Sequence, residues 1–143
     1  MIVSQILKMK GPGVSTVAAS ATLEAAATAL ARERIGSLVV IDSVDRILGI
    51  ISERDIVRAI AAEGCNALAS TVESAMTRNV ATCGLDDSLE SLMREMTARR
   101  VRHLPVVKGE SLAGIVSIGD VVKHRLEELE RERALLVDYV ASG

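Results

Sequence analysis

Aromatic side chains are almost missing from this sequence: there is no Trp and no Phe, and Tyr139 stands alone. A core must then be assembled from Val, Ile, Leu, Ala and Met. A planar ligand must be held between aliphatic side chains and backbone, and single-stranded nucleic acid finds no rings to stack on. Cysteine is scarce too. Cys65 and Cys83 form no CxxC and have no histidine at metal-ligand spacing, which argues against a zinc site. They read as free thiols of a reducing, cytoplasmic compartment. No window approaches the ~20 apolar residues of a membrane-spanning helix, and MIVSQILKMKG is too short an apolar run for a secretory signal. A net charge of −2 exerts no pull towards nucleic acid or an anionic membrane. Against these absences, 49% hydrophobic and 25% charged residues in 143 are the balance of a folded domain.

What is present is written twice. VSTVAASATLEAAATALARERIGSLVVI (14–41) aligns with VATCGLDDSLESLMREMTARRVRHLPVV (80–107) without a gap. Thr16 falls on Thr82, Leu23 on Leu89, Glu24 on Glu90, Arg34 on Arg100 and Ser37 on His103. One residue is lost in the turn that follows, where such changes are tolerated. GIISERDIV (49–57) then meets GIVSIGDVV (114–122).

Each copy predicts the same elements. Short extended pieces at 14–17 and 80–83 lead into amphipathic helices opened by Ser20 or Thr22 and by 86–88, all good N-cap types. Leu89, Leu92, Met93 and Met96 repeat as one buried helical stripe. Two β-branched runs around a polar turn predict a hairpin, and a second helix follows at 53–63 and from about 119. SQILKMK and TVESAMT read as lead-in helices to copies one and two. The fold class is therefore α/β (α+β), with two tandem β-α-β-β-α repeats at 1–66 and 67–124 and a helical extension at 125–143. About 60 residues alone bury a marginal core, so the halves are expected to pack together about a pseudo-twofold axis.

Both copies keep a serine and an aspartate three residues apart where a strand hands over to a helix. Ser52 with Asp55, and Ser117 with Asp120, have the spacing of a capping box. Two further features point to a ligand. A glycine just upstream permits close approach to the strand, and free N–H groups at a helix start favour an anion. A hydroxyl there suits a phosphate, and a carboxylate suits the two hydroxyls of a ribose.

The paired G-h-h-S-x-x-D segments, each preceded by a helix and by SLVVID or RVRHLPVV, resemble a tandem pair of CBS domains. The resemblance covers about residues 1–124. It implies a regulatory module with two clefts between its halves for adenosyl ligands: AMP, ADP, ATP, S-adenosylmethionine or NAD(H). It also implies a disc-like homodimer and a regulated partner protein. Carried over to this sequence, Asp55 and Asp120 match the ribose-binding acid, and Ser52 and Ser117 the hydroxyl position. Thr16 and Thr82 match the first-strand residue whose backbone meets the base, while Ser37, Val39, His103 and Pro105 lie on the strand lining the cleft. Arg54 and Arg102 are the phosphate candidates, being planar bidentate donors. Arg54 is replaced by Gly119 in the second copy, so the two clefts are expected to differ.

Other classes fit less well. His103, Ser117 and Asp120 form a nominal nucleophile set with no GxSxG elbow, and GPGVST (11–16) lacks the lysine and spacing of a P-loop. An enzymatic, nucleotide-hydrolysing or redox-linked role is thus the alternative, together with a protein- or DNA-interaction module based on the locally basic MTARRVRH. In the tail, Val122, Leu126, Leu129, Leu136 and Val140 step by 4, 3, 7 and 4, a heptad-like seam that suits dimerisation. His124 reads as a surface residue.

Overall fold

The structure, a computed structural model, describes residues 1–11 and 13–143. Two three-stranded sheets of the same topology form its frame. In the first, β1 (Thr16–Ala18) runs parallel to β2 (Ser37–Ile41), which pairs antiparallel with β3 (Ile47–Ser52). In the second, β4 (Cys83–Gly84), β5 (His103–Lys108) and β6 (Ser111–Ser117) repeat that order. Ser37 lies opposite Ser52, and His103 opposite Ser117, so the duplicated register holds to the last strand residue. The strand before the second long helix is shorter than 80–83 suggested. It starts at Cys83, leaving Thr82 just outside.

Helices α2 (Leu23–Glu33) and α5 (Leu89–Arg99) start at Thr22 and Ser88, whose hydroxyls each accept a backbone N–H at 3.1 Å. Each ends on an arginine in the left-handed region, Arg34 and Arg100, with φ of 56° and 54°. The first core gathers Leu23, Ala26, Leu30, Leu38, Val40 and Ile51; the second gathers Leu89, Leu92, Met96, Leu104, Val106 and Val116. Strand alternation sends the remaining residues, Ser37 and Val39 or His103 and Pro105, to the opposite sheet face. Val39 is 0% exposed yet belongs to neither core.

The lead-in helices are exchanged. In sequence each precedes its own copy, but in space each packs on the other. Helix α1 (Val3–Lys10) buries Val3 and Ile6 in the second core, and its backbone meets Leu85 and Asp87. Helix α4 (Val72–Ala75), after the 3-10 turn Gly64–Ala69, buries Val72 in the first core and bonds Ala19 and Ala21. A buried valine or isoleucine contributes about 1.5–3 kcal/mol, so each exchange ties the halves firmly. The upstream glycines serve this packing. A Cβ on Gly49 would lie 2.5 Å from the Thr77 carbonyl oxygen and 2.9 Å from Met76 Sδ; one on Gly114 would lie 2.7 Å from Leu7 Cδ2. The close neighbour foreseen at these glycines is thus protein.

Helix α3 (Glu53–Glu63) closes the first copy. Helix α6 (Ile118–Ser142) runs unbroken for 25 residues, about 37 Å, well beyond the body. Val122, Leu126, Leu129, Leu136 and Val140 are exposed along it, and so are Leu135, Val137 and Tyr139 near its end. His124 corrects the surface reading: it is only 5% exposed, its Nδ1 3.4 Å from Glu127 Oε2. Both cysteines are free thiols. Cys65 is exposed, whereas Cys83 is buried, and burial with the Asp87 charge pushes its pKa up to about 12. Among the described residues no acidic, thiol or imidazole cluster could hold a metal, and no helix is long and apolar enough to cross a membrane.

Candidate functional site: the cleft beside Asp55

Both serine–aspartate pairs form complete capping boxes. Ser52 Oγ accepts the Asp55 N–H at 3.2 Å, while Asp55 Oδ2 accepts from Ser52 N and Oγ, both at 2.9 Å. Ser117 and Asp120 repeat this with 3.2, 2.9 and 3.0 Å. The capping reading is therefore correct in both copies, and a carboxylate there also favours the positive helix end. One oxygen of each carboxylate suffices for the box. The surroundings of the two acids then diverge.

Asp55 is 8% exposed, and among the described residues its second oxygen meets only Thr77 Oγ1, at 3.4 Å, a long contact. It borders a cavity of about 420 Å³ between the copies. The first copy supplies Gly36, Ser37, Ile50 and the start of α3; the second supplies 100–103, with 79–81 completing the wall. Four guanidiniums line it: Arg54 and Arg58 on α3, and Arg100 and Arg102 after α5. Among the described residues none of the four has a carboxylate within 4.0 Å; the arginines that do are Arg46, Arg78, Arg99 and Arg125. Two acids, Glu53 and Asp55, share the cavity with these four cations. Ser37 adds a buried hydroxyl, 6% exposed and without a hydrogen-bond partner among the described residues.

Asp120, half-buried, is met by an ammonium instead. Lys10 Nζ donates to its Oδ2 at 2.8 Å and to the Ile115 carbonyl at 3.0 Å. Burial pushes the Asp120 pKa up, but Lys10 and the Ser117 N–H and hydroxyl outweigh it and hold the carboxyl below its ordinary value. Two cavities border Ile115: one of about 120 Å³ with Gly13, Val14, Ser15, Ile35, Ser37 and His103, and one of about 400 Å³ along α1 with Leu7, Lys10, Leu85 and Gly114.

The family model for the CBS domain matches residues 3–62 and again 72–127. The chain belongs to the CBS domain family. Its fold is shared with the CBS-domain protein ATU1752 of Agrobacterium tumefaciens at 43% identity and a TM-score of 0.83, covering 87% of this chain and 99% of that one. The CBS pair of protein MJ0100, solved with 5′-methylthioadenosine and S-adenosyl-L-methionine, is 26% identical with a TM-score of 0.80, over 90% and 98% of the chains. PAE2072 of Pyrobaculum aerophilum, solved with AMP, is 28% identical with a TM-score of 0.75, over 84% and 89%.

In this CBS pair six of the twelve residues singled out from sequence line one cavity: Ser37, Ser52, Arg54, Asp55, Arg102 and His103. Ser117 and Asp120 sit at the second motif with Lys10. Thr16 is exposed on β1 beside a shallow depression against Ala29, Arg32 and Glu33, and Thr82 is exposed ahead of β4. Val39 and Pro105 are buried in mid-strand. Arg58 and Arg100 were missed. Arg58 could have been found one helical turn from Arg54 on the same face, and Arg100 by its match to Arg34 at a helix end.

His103 joins the two CBS copies electrostatically. Burial, then Lys10 and Arg102, push its pKa below 6.5, against an opposing pull from Asp120. The imidazole is therefore neutral at pH 7. A phosphate placed near it favours the charged form, so binding takes up a proton. Such a ligand binds more tightly as the pH falls towards the lowered pKa of the free imidazole. We expect ATP affinity to rise between pH 8 and pH 6 more steeply for the wild type than for His103→Gln. Identical slopes in paired calorimetric titrations would remove His103 from the phosphate site.

Proposed function

We propose that this CBS pair is a non-catalytic regulatory module that binds an adenosyl nucleotide with two or more phosphates in the cavity beside Asp55. The observation that carries this reading is the convergence of four unpaired guanidiniums on the start of α3, next to a buried carboxylate with a free oxygen. About 420 Å³ falls in the ordinary range for a small-molecule site. Asp55 accepts from the ribose diol. The phosphates meet the arginines and the first N–H groups of α3. The base lies among Ile50, Val80 and Val101 without aromatic stacking. Complexes of PAE2072 with AMP and of MJ0100 with S-adenosyl-L-methionine support the adenosyl part. The arginines favour ATP, ADP or NAD(H) over a sulfonium cation. Against catalysis, Ser117 Oγ donates to Asp120 and so does not stand ready to be deprotonated by His103. Ligand binding changes the relation of the halves, and a partner protein reads that change.

Calorimetry with ATP, ADP, AMP and S-adenosylmethionine tests this, with recovery of intact nucleotide by mass spectrometry. The expected order is ATP and ADP, then AMP, then S-adenosylmethionine, with ATP affinity falling as salt rises. Equal affinity for ATP and S-adenosylmethionine overturns the phosphate assignment, and turnover of ATP overturns the non-catalytic one.

Two copies are proposed to associate through the apolar stripe of α6, whose leucines no other element covers. Leu126→Glu with Leu129→Glu then yields a monomer in sedimentation equilibrium where the parent chain is a dimer. A monomeric parent sinks this proposal.

A further inference from the structure

The exchanged lead-in helices occupy equivalent places but differ in length. Val3 and Val72 are each fully buried in the opposite core, and Leu7 and Met76 each close on a motif glycine. Beyond Met76 the chain leaves the helix, and Thr77 pairs with Ile50 through both backbone groups, N–H to carbonyl at 2.9 Å and the reverse at 3.0 Å. Beyond Leu7, α1 continues to Lys10. Among the described residues no such backbone pairing is made at Ile115, the counterpart of Ile50. Its carbonyl is taken instead by the Lys10 ammonium, which also holds Asp120.

We propose that Lys10 blocks the second nucleotide cleft, so that each chain takes ligand only beside Asp55. Lys10 is thus the residue that decides which of two duplicated sites works. It neutralises the acid that a ribose diol would need and takes the neighbouring Ile115 carbonyl, its ammonium sharing Asp120 Oδ2 with the Ser117 box. On the side facing the first copy the space at Ile115 is about 120 Å³, below the size of a ligand site; the larger cavity there, about 400 Å³, lies along α1. The charges point the same way. Where the open cleft has Arg54 and Arg102, the duplicated positions carry Gly119 and Gly36. Arg58 and Arg100 are matched by Lys123 and Arg34, so the guanidiniums lost from the second cleft are those at the two glycines, and Lys10 pairs with Asp120 there instead. Among the described residues the open cleft keeps four cations without a carboxylate partner.

This inference rests on the nucleotide reading of the Asp55 cavity, and two measurements separate their fates. Binding of ATP and of AMP is measured by calorimetry for the wild type and for Lys10→Met, which keeps the apolar stem. The wild type is expected to bind one nucleotide per chain and Lys10→Met to bind two, the second more weakly and with AMP as well as ATP. Two equivalents in the wild type, or one in Lys10→Met with both nucleotides, overturn the proposal. Acetylation of the lysines by acetic anhydride, followed by mass spectrometry, needs no ligand. Lys10 is expected to react about tenfold more slowly than Lys8 or Lys123, and Asp120→Ala to erase that protection. If Lys10 reacts as fast as Lys8 in the wild type, the closing contact does not exist, whatever the nucleotide results. If protection holds but no protein binds nucleotide, Lys10 still shields Asp120; the reading of Asp55 falls, and with it the proposed choice between sites.

Discussion

Asp55→Asn is expected to weaken ATP binding by about 100-fold, the loss of a charge-assisted acceptor for two hydroxyls. Asparagine keeps one side-chain oxygen to accept from Ser52 N and Oγ, so the cap of α3 survives. What changes is the other terminal atom. There an amide NH2 would face the ribose diol, donor against donor. Asp55→Ala loses binding too, but it also removes the capping box and costs about 1 kcal/mol of stability. Thermal unfolding of both variants therefore separates a lost ligand contact from a lost helix start. Asp120→Asn is the matched control. Its carboxylate already serves Lys10 and Ser117, so ATP affinity should stay within about twofold of the parent. An unchanged affinity for Asp55→Asn refutes the ribose assignment.

Gly49→Ala should be the most destabilising of the single-methyl additions, about 2–3 kcal/mol in urea unfolding. Its new Cβ would stand 2.5 Å from the Thr77 carbonyl oxygen, and that carbonyl accepts from Ile50 N at 3.0 Å. Backbone held in a two-way pair cannot swing aside, so β3 and the linker after α4 must separate. Gly114→Ala meets the branched end of Leu7 at 2.7 and 2.9 Å, a side chain free to change rotamer. Its cost should be about 1 kcal/mol or less. Equal losses at the two positions would mean that the exchanged segments do not pack as described.

Much of the frame was legible in the residue order because it is encoded locally. Caps at Thr22, Ser52, Ser88 and Ser117 are contacts three residues long, and the apolar periods of α5 and the two hairpins need no distant partner. Duplication then carried every such reading from one copy to the other, including the two serine–aspartate pairs. Residues 53–63, predicted as a helix, are helical end to end.

Partner choice was not legible. An amphipathic lead-in helix presents the same apolar stripe to either copy, so its pattern says that it packs but not where, and the exchange of α1 and α4 appears only in three dimensions. His124 sits among charged neighbours in sequence yet is buried in the folded chain. Arg58 and Arg100, more than forty positions apart, meet at one cavity because the copies face each other. Lys10 reaches Asp120 across 110 positions. Short-range rules therefore determined the elements, their caps and the two carboxylates. Long-range packing, which no periodicity encodes, decided which carboxylate borders the arginine-lined cavity and which is met by an ammonium ion.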